Sequence, residues 1–376
     1  MSDTRFVSPF GEFDLYRFPL RKRELLRAWD AADEYLLQTL GEQQLEQQKL
    51  LIINDSFGAL AVALHRYLPA SWSDSWLAHQ ALQENLLRND CDKHAVKPIP
   101  STDIPNQAPD LVLMKLPKSL ALFEHQLIQL KPLLTEKSRI VVAGMVKTMP
   151  ATVWDLLEKT IGPTDTSRAK KKARLIEVSV DQKIPLQDNP FPKRWCLEGT
   201  SIEIINDANV FSRERLDLGT RLLLQHLPPT KGPVEVIDLG CGNGILGLMA
   251  ARQNPEARLT FIDESYMAIR SASANFLHCG TATQLAGFHL GDGLIDFDSS
   301  AADLILCNPP FHQSHAIGDS VAMSMFKESA RVLRDGGELW VVGNRHLNYH
   351  CKLKRWFSCV NIAASNKKFV ILKATA

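Results

Sequence analysis

The stretch Val236-Ile237-Asp238-Leu239-Gly240-Cys241-Gly242-Asn243-Gly244 leaves this chain few folds to choose from. An apolar run of strand length enters a glycine turn and continues into Ile245-Leu246-Gly247-Leu248-Met249-Ala250-Ala251, a helix-like apolar segment. That is the strand–turn–helix that opens a nucleotide-binding α/β unit. Glycines at 240, 242 and 244 remove the Cβ atoms that would bar a ligand from the backbone, and permit φ > 0 in a tight turn. The dinucleotide fingerprint G-x-G-x-x-G would place its third glycine at Ile245, so the turn fits a nucleoside better than a pyrophosphate. A nicotinamide enzyme is disfavoured on the same ground. Asp238, Gly240, Gly242 and Gly244 are therefore candidate cofactor residues.

Further along, Arg258-Leu259-Thr260-Phe261-Ile262-Asp263 reads as a second strand ending in an acid 21 residues after Gly242. An α/β nucleoside site presents a carboxylate to ribose hydroxyls at that place; the competing reading of Asp263 is a helix N-cap. Asp292-Gly293 follows the third strand, where an acid can accept from an exocyclic adenine amine or simply serve a turn. The other decisive stretch is Asp303-Leu304-Ile305-Leu306-Cys307-Asn308-Pro309-Pro310-Phe311, a strand that delivers Asn308 to the crevice at its C-terminal end. Two prolines stiffen the turn, so the Asn308 side chain and the Pro309 carbonyl offer acceptors, and Phe311 offers a stacking plate. Such a corner fits a planar group with an exposed NH₂. Asn308, Pro309 and Phe311 are the candidate catalytic residues, and Asn308 also faces the cofactor.

The amino-terminal half repeats this plan. Leu50-Leu51-Ile52-Ile53-Asn54-Asp55-Ser56-Phe57-Gly58-Ala59-Leu60 has the shape of the opening stretch with its glycines lost. Asp110-Leu111-Val112-Leu113-Met114-Lys115-Leu116-Pro117 stands where the second half has Asp303 to Pro310. Ile140 to Gly144 and Leu339 to Gly343 make a third pair in the same order, which points to an internal duplication whose first copy keeps the fold and loses the chemistry. Residues 20 to 50 are expected to be helical, with Leu25, Leu26, Trp29, Tyr35, Leu36 and Leu40 at helical spacing. Pro185, Pro190 and Pro192 mark a linker within 181–200, so the expected domains are 1–190 and 191–376.

Composition then narrows the partner. No run approaches the ~18 apolar residues of a membrane span, and no signal-peptide core opens the chain, so the expected location is cytoplasmic. Seven cysteines without a C-x-x-C pair indicate neither a disulfide framework nor a zinc site, and no metal is expected. The net charge is only +1, yet Arg168, Lys170, Lys171, Lys172 and Arg174 cluster, and 340–376 holds seven Lys or Arg without one Asp or Glu. Beside the site above, that distribution favours RNA over a plain solvated face.

These residues also carry a family resemblance. Asp238 to Gly244 with Asn308-Pro309-Pro310-Phe311 resembles class I S-adenosylmethionine-dependent methyltransferases acting on planar exocyclic amines. Phe211 to Thr220, the run on to His312, and Gly336 to Tyr349 are similar to the bacterial ribosomal RNA guanine-N2 methyltransferases. The resemblance implies two tandem Rossmann-like domains, the amino-terminal one a degenerate copy; the duplicated framework without its glycines, and Lys115-Leu116-Pro117 in place of Asn-Pro-Pro, make that copy an expected RNA-holding module. It also implies S-adenosyl-L-methionine as cofactor and ribosomal RNA as substrate. Arg17-Phe18-Pro19 and Ala28 to Leu37 are similar to the branch that modifies large-subunit, 23S, rRNA rather than its 16S relative. An adenine-N6 or glutamine-N5 methyltransferase shares the Asn-Pro-Pro-aromatic corner, and a non-catalytic rRNA-binding assembly factor with a vestigial site is the reading from another class.

Overall fold

Each strand–turn–helix segment seeds its own sheet. The computed structural model describes residues 3–20, 24–41, 45–280, 284–310 and 315–376. It divides into two compact units, Met1–Phe191 and Pro192–Ala376. The first contains β1 (Arg5–Ser8), β2 (Gly11–Asp14), α1 (Ala31–Leu40), β3 (Leu50–Ile53), α2 (Ala59–Ala63), β4 (Ala70–Ser73) and α3 (Trp76–Arg88). After these come β5 (Lys97–Pro100), β6 (Leu111–Lys115), α4 (Leu120–Leu130), β7 (Arg139–Met145), α5 (Thr152–Thr160), β8 (Thr164–Thr166) and β9 (Ala173–Ser179). The second unit contains β10 (Lys193–Cys196), β11 (Glu203–Asn206), α6 (Leu218–Leu224), β12 (Glu235–Leu239), α7 (Ile245–Gln253), β13 (Arg258–Asp263) and α8 (Tyr266–Cys279). It closes with β14 (Ala286–Leu290), β15 (Ala302–Cys307), α9 (His315–Val332), β16 (Leu333–Asn344), α10 (Tyr349–Leu353), β17 (Cys359–Ser365) and β18 (Phe369–Thr375).

The sheets have one topology. The first runs β5-β4-β3-β6-β7-β9-β8 and the second β14-β13-β12-β15-β16-β18-β17, five parallel strands followed by an antiparallel pair. Their middle strands read as unbroken apolar runs because helices cover both faces, as a parallel sheet requires. Thus Val236 packs into one core cluster and Ile237 and Leu239 into the cluster on the opposite face.

The duplication extends to single hydrogen bonds. Asn275 on α8 donates to Ile205 O and Asn243 O, both at 2.9 Å, and accepts from Ile205 N. Asn85 on α3 donates to Tyr16 O and Phe57 O, and accepts from Tyr16 N, so it ties the β1–β2 hairpin to the turn after β3 in the same way. Strand register then fixes the correspondence: Ile53 pairs with Trp72 and Met114, as Leu239 pairs with Ile262 and Cys307. Asn54 therefore occupies the place of Gly240, Ser56 that of Gly242 and Gly58 that of Gly244.

The structure differs from the sequence expectations at three places. The first copy has not lost all its glycines: Gly58 is at φ +80°, and a Cβ there would come within 2.9 Å of the Leu82 backbone. Gly244, at φ +75°, would meet Ala272 in the same way. The retained glycine is the one the packing of the unit itself demands. Among the described residues of 20–50, the helix covers only Ala31–Leu40, starting at the Asp30 cap, and Leu25 and Leu26 are exposed. Within the stretch read as a linker, Lys193–Cys196 pairs with Glu203–Asn206 as a hairpin.

Candidate active site

Parallel registration brings the C-terminal ends of β12, β13, β14 and β15 to one edge of the second sheet. The turn after β12 is pinned there by its backbone: Gly240 N and Cys241 N both donate to Ile262 O, and Gly244 N donates to Cys241 O. Gly242, at φ +54°, is different from Gly244, since a Cβ built on it would meet nothing within 4 Å. No packing within the unit excludes a side chain at that position, and the turn faces open space where a ligand can approach the backbone.

Asp263 closes the next strand and binds two turns at once. One carboxylate oxygen accepts from Gly242 N at 2.9 Å and the other from Ser265 N at 3.0 Å, beside the Ser265 cap of α8. The carboxylate thus stands at the strand end where an α/β nucleoside site presents an acceptor to a ribose diol. Asp292 lies two residues beyond the end of β14, half-buried at the same edge. Asp238 does not face the open side of the turn. It is buried behind it, where its carboxylate accepts from Gly247 N at 2.8 Å and so braces the start of α7. Burial, with Asp263 adding to it, pushes the Asp238 carboxyl up to about 8. Cys241 and Cys307 are buried, and desolvation raises both thiols, which suits packing rather than nucleophilic roles.

At the end of β15 the Asn308 amide is oriented by a short relay. Asn308 Nδ2 donates to Thr220 Oγ1 at 2.8 Å and lies 3.4 Å from Asp217 Oδ2. Asp217 caps α6 through Gly219 N and Thr220 N, which places both residues of the relay on one rigid helix start. With the amide turned over, its oxygen would face the Asp217 carboxylate, so the donor side is fixed inward. Asn308 Oδ1 is buried and has no partner among the described residues, an acceptor left for something else. Pro309 is buried beside it. Phe311 and His312 lie outside the described residues. Thr220 stood in the sequence only as part of a family run; it is 88 residues from Asn308, and no local pattern reports a contact at that distance.

The first unit shows what the same frame looks like without these groups. Ser73 stands at the place of Asp263, and Lys115 at that of Asn308. Lys115 Nζ bonds Asp30 at 2.8 Å and Asp33 at 2.6 Å, on the helix that matches α6, so an ion cluster closes the corner that Asn308 leaves available. Burial, with Asp33 nearby, pushes the neighbouring Asp55 up to about 7.

A sheet of this order with a glycine turn after its first central strand, an acid at the end of the second and Asn-Pro-Pro after the fourth defines a class I S-adenosylmethionine-dependent methyltransferase. Comparison with known families agrees: residues 201–373 match the methyltransferase small domain, and residues 3–182 match the RLMG N-terminal domain. The chain belongs to the ribosomal RNA large subunit methyltransferase G family. It is 49% identical over 368 residues to that enzyme of Aeromonas salmonicida, covering 96% of each chain. It is 47% identical over 371 residues to that of Pseudomonas aeruginosa PAO1, covering 98% of this chain and 99% of the relative. Among solved structures, a T. thermophilus 16S rRNA N2 methyltransferase in complex with AdoMet and guanosine superposes with a TM-score of 0.77. That match has 20% identity and covers 99% of this chain and 97% of the other, and it shows a shared fold. No helix among the described residues is long and apolar enough to cross a membrane.

Proposed function

We propose that this chain transfers the methyl group of S-adenosylmethionine to the exocyclic N2 amine of one guanine in 23S ribosomal RNA, in the cytoplasm. The observation that carries the reading is the oriented, unpartnered Asn308 Oδ1 at the sheet edge beside the open glycine turn. Gly240, Gly242 and Gly244 would hold the nucleoside end of the cofactor, with Asp263 on the ribose hydroxyls and Asp292 on the adenine amine. Asp238 supports that pocket from behind. When bound, the cofactor supplies an electrophilic methyl on a sulfonium.

The guanine amine is a poor nucleophile because its lone pair is delocalised into the ring. Asn308 Oδ1 and the Pro309 carbonyl accept its two N–H bonds, hold the nitrogen in line with the methyl, and stabilise positive charge as it grows there. Phe311 stacks on the ring. The extra proton leaves the nitrogen to water after transfer, so no strong base is needed. The first unit, with its corner closed by Lys115, Asp30 and Asp33, acts in holding RNA and binds no cofactor.

Transfer of labelled methyl from S-adenosylmethionine to RNA, DNA or protein, followed by nucleoside analysis, tests the reading. Label in guanine N2 of large-subunit rRNA is expected. Label in adenine N6 or in glutamine would move the enzyme to another acceptor class, and tight cofactor binding without transfer to any acceptor would leave an assembly factor.

A further inference from the structure

The two units treat one surface in opposite ways. In the first, the turn between β8 and β9 is fastened to α1: Lys171 pairs with Glu34 at 2.7 Å, and Lys170 donates to Gln38 at 2.7 Å over the Tyr35 ring. The Tyr35 hydroxyl donates to Arg168 O. Of the five basic side chains in the cluster that the sequence offers as an RNA contact, Lys170 and Lys171 are thus engaged within their own unit.

Register transfers each partner to the second unit. Met145 pairs with Ala173 as Asn344 pairs with Phe369. Val146 N donates to Lys172 O at 2.9 Å, as Arg345 N donates to Lys368 O at 3.0 Å. The caps Asp30 and Asp217 align α1 with α6. Lys171 therefore falls on Lys367, Tyr35 on Leu222, and Glu34 on Arg221. Where the first unit sets a carboxylate against its turn lysine, the second sets a guanidinium. Like charges face one another, and a groove of about 320 Å³ lies between α6 and the turn.

Leu218, Leu222 and Phe369 give this groove apolar atoms, and Arg221, Lys367 and Lys368 give it charge. Leu218 is 56% exposed, a large apolar group without cover. Arg221 Nη2 meets Glu198 at 2.7 Å, while its Nε has no partner. Lys367 and Lys368 have no carboxylate within ion-pair distance among the described residues, nor does the exposed Arg345, whose guanidinium donates to Asn366 O in the same turn. Exposed cations around an apolar patch suit a sugar–phosphate chain, with phosphates on the cations and a base or sugar edge on the leucine. The groove is lined by α6, the helix whose first turn carries Asp217 and Thr220, which orient Asn308.

We propose that this groove docks the RNA backbone flanking the target nucleotide, through Arg221, Lys367 and Lys368. The inference rests on the rRNA reading above. It is tested on the full-length chain with labelled S-adenosylmethionine and large-subunit rRNA, protein-free or in the intact subunit, whichever the wild type methylates. K367A/K368A should keep kcat near the wild-type value and raise KM for RNA about tenfold at ~0.1 M salt, since binding to phosphates is salt-linked. The log–log salt slope should become shallower by about 1.4, two contacts at roughly 0.7 each on single-stranded RNA. R221E, which restores the charge pattern of the first unit, should raise KM more than R221A, with unchanged S-adenosylmethionine affinity in both. Polyuridylate should inhibit the wild type, and its inhibition constant should rise in the variants together with KM.

Wild-type methylation of rRNA with unchanged KM and salt slope in K367A/K368A and R221E would overturn the groove alone. On the intact subunit, a raised KM with an unchanged polyuridylate inhibition constant would assign the surface to a ribosomal protein and overturn the RNA proposal. A wild-type chain that methylates no rRNA would overturn the functional reading first, and this inference with it.

Discussion

Thr220→Val isolates what the relay to Asn308 contributes. The substitution keeps the volume and branching of a residue that is 7% exposed and removes only the hydroxyl, which accepts from Asn308 Nδ2 at 2.8 Å and donates to Asp217 Oδ2 at 3.4 Å. The Asp217 cap survives, because it works through the backbone N–H groups of Gly219 and Thr220. What remains to orient the amide is the 3.4 Å approach to Asp217. A neutral hydrogen bond of this kind contributes about 0.5–1.5 kcal/mol, or roughly 2- to 13-fold in rate if it acts mainly in the transition state. Asn308→Ala, which removes the acceptor itself, should lower the rate on the order of a hundredfold. Because Thr220 acts through Asn308, adding Thr220→Val to Asn308→Ala should change nothing further, and the double-mutant cycle should return the whole single effect as coupling. The readout is single-turnover methyl transfer to rRNA, with calorimetry showing S-adenosylmethionine affinity near the wild-type value in all three variants. A Thr220→Val enzyme at the wild-type rate, or one whose penalty persists beside Asn308→Ala, would refute the relay.

Three further outcomes follow from the same geometry. Asp263→Ala should weaken S-adenosylmethionine binding by about 1.5–3 kcal/mol, roughly 13- to 150-fold by calorimetry, through loss of charge-assisted bonds; unchanged affinity would remove Asp263 from the site. Lys115→Ala leaves Asp30 and Asp33 without their cation and should destabilise the first unit by about 3–5 kcal/mol in denaturant unfolding, yet leave one equivalent of S-adenosylmethionine bound per chain with unaltered affinity. Loss of that binding would contradict a single pocket in the second unit. Asp238, pushed up to about 8, keeps in the native state a proton that the unfolded chain releases above about 4. Its contribution therefore falls as pH rises from about 4 to 8, and Asp238→Asn should flatten the pH dependence of stability measured by denaturant titration at pH 5 and pH 8. An equally steep dependence in the variant would contradict the assignment.

The features legible in the sequence were those with local causes. A strand running into glycines, an acid at the next strand end and Asn-Pro-Pro at the fourth each announce themselves within a few residues, and together they identify the fold. The repeat was legible too, but its alignment was not. Asp55 resembles Asp238 as the acid of the turn, and the two do one job: each carboxylate accepts from the backbone N–H three residues after the last turn glycine, Ala61 N and Gly247 N. Strand register nevertheless puts Asp55 at the place of Cys241, because the two copies reach one N–H from different chain positions. Gly58 carries no signal of its own in the sequence, because spacing cannot separate a glycine required by a neighbouring helix from one required by a ligand. Only the surroundings do: Leu82 crowds the first, and open space faces Gly242. The basic clusters were legible as charge but not as surroundings, since composition does not report what a cation sits against. Lys171 has Glu34 beneath it and Lys367 has Arg221 at the same place, a difference visible only once α1 and α6 are laid on their turns.

The most direct test of the central claim is nucleoside mass spectrometry of rRNA methylated by the full-length wild-type chain and by Asn308→Ala. The account predicts one added N2-methylguanosine per large-subunit rRNA with the wild type, and its near absence with the variant after the same time. Methyl groups on adenine N6, in small-subunit rRNA or in protein, or an equal yield from Asn308→Ala, would contradict it.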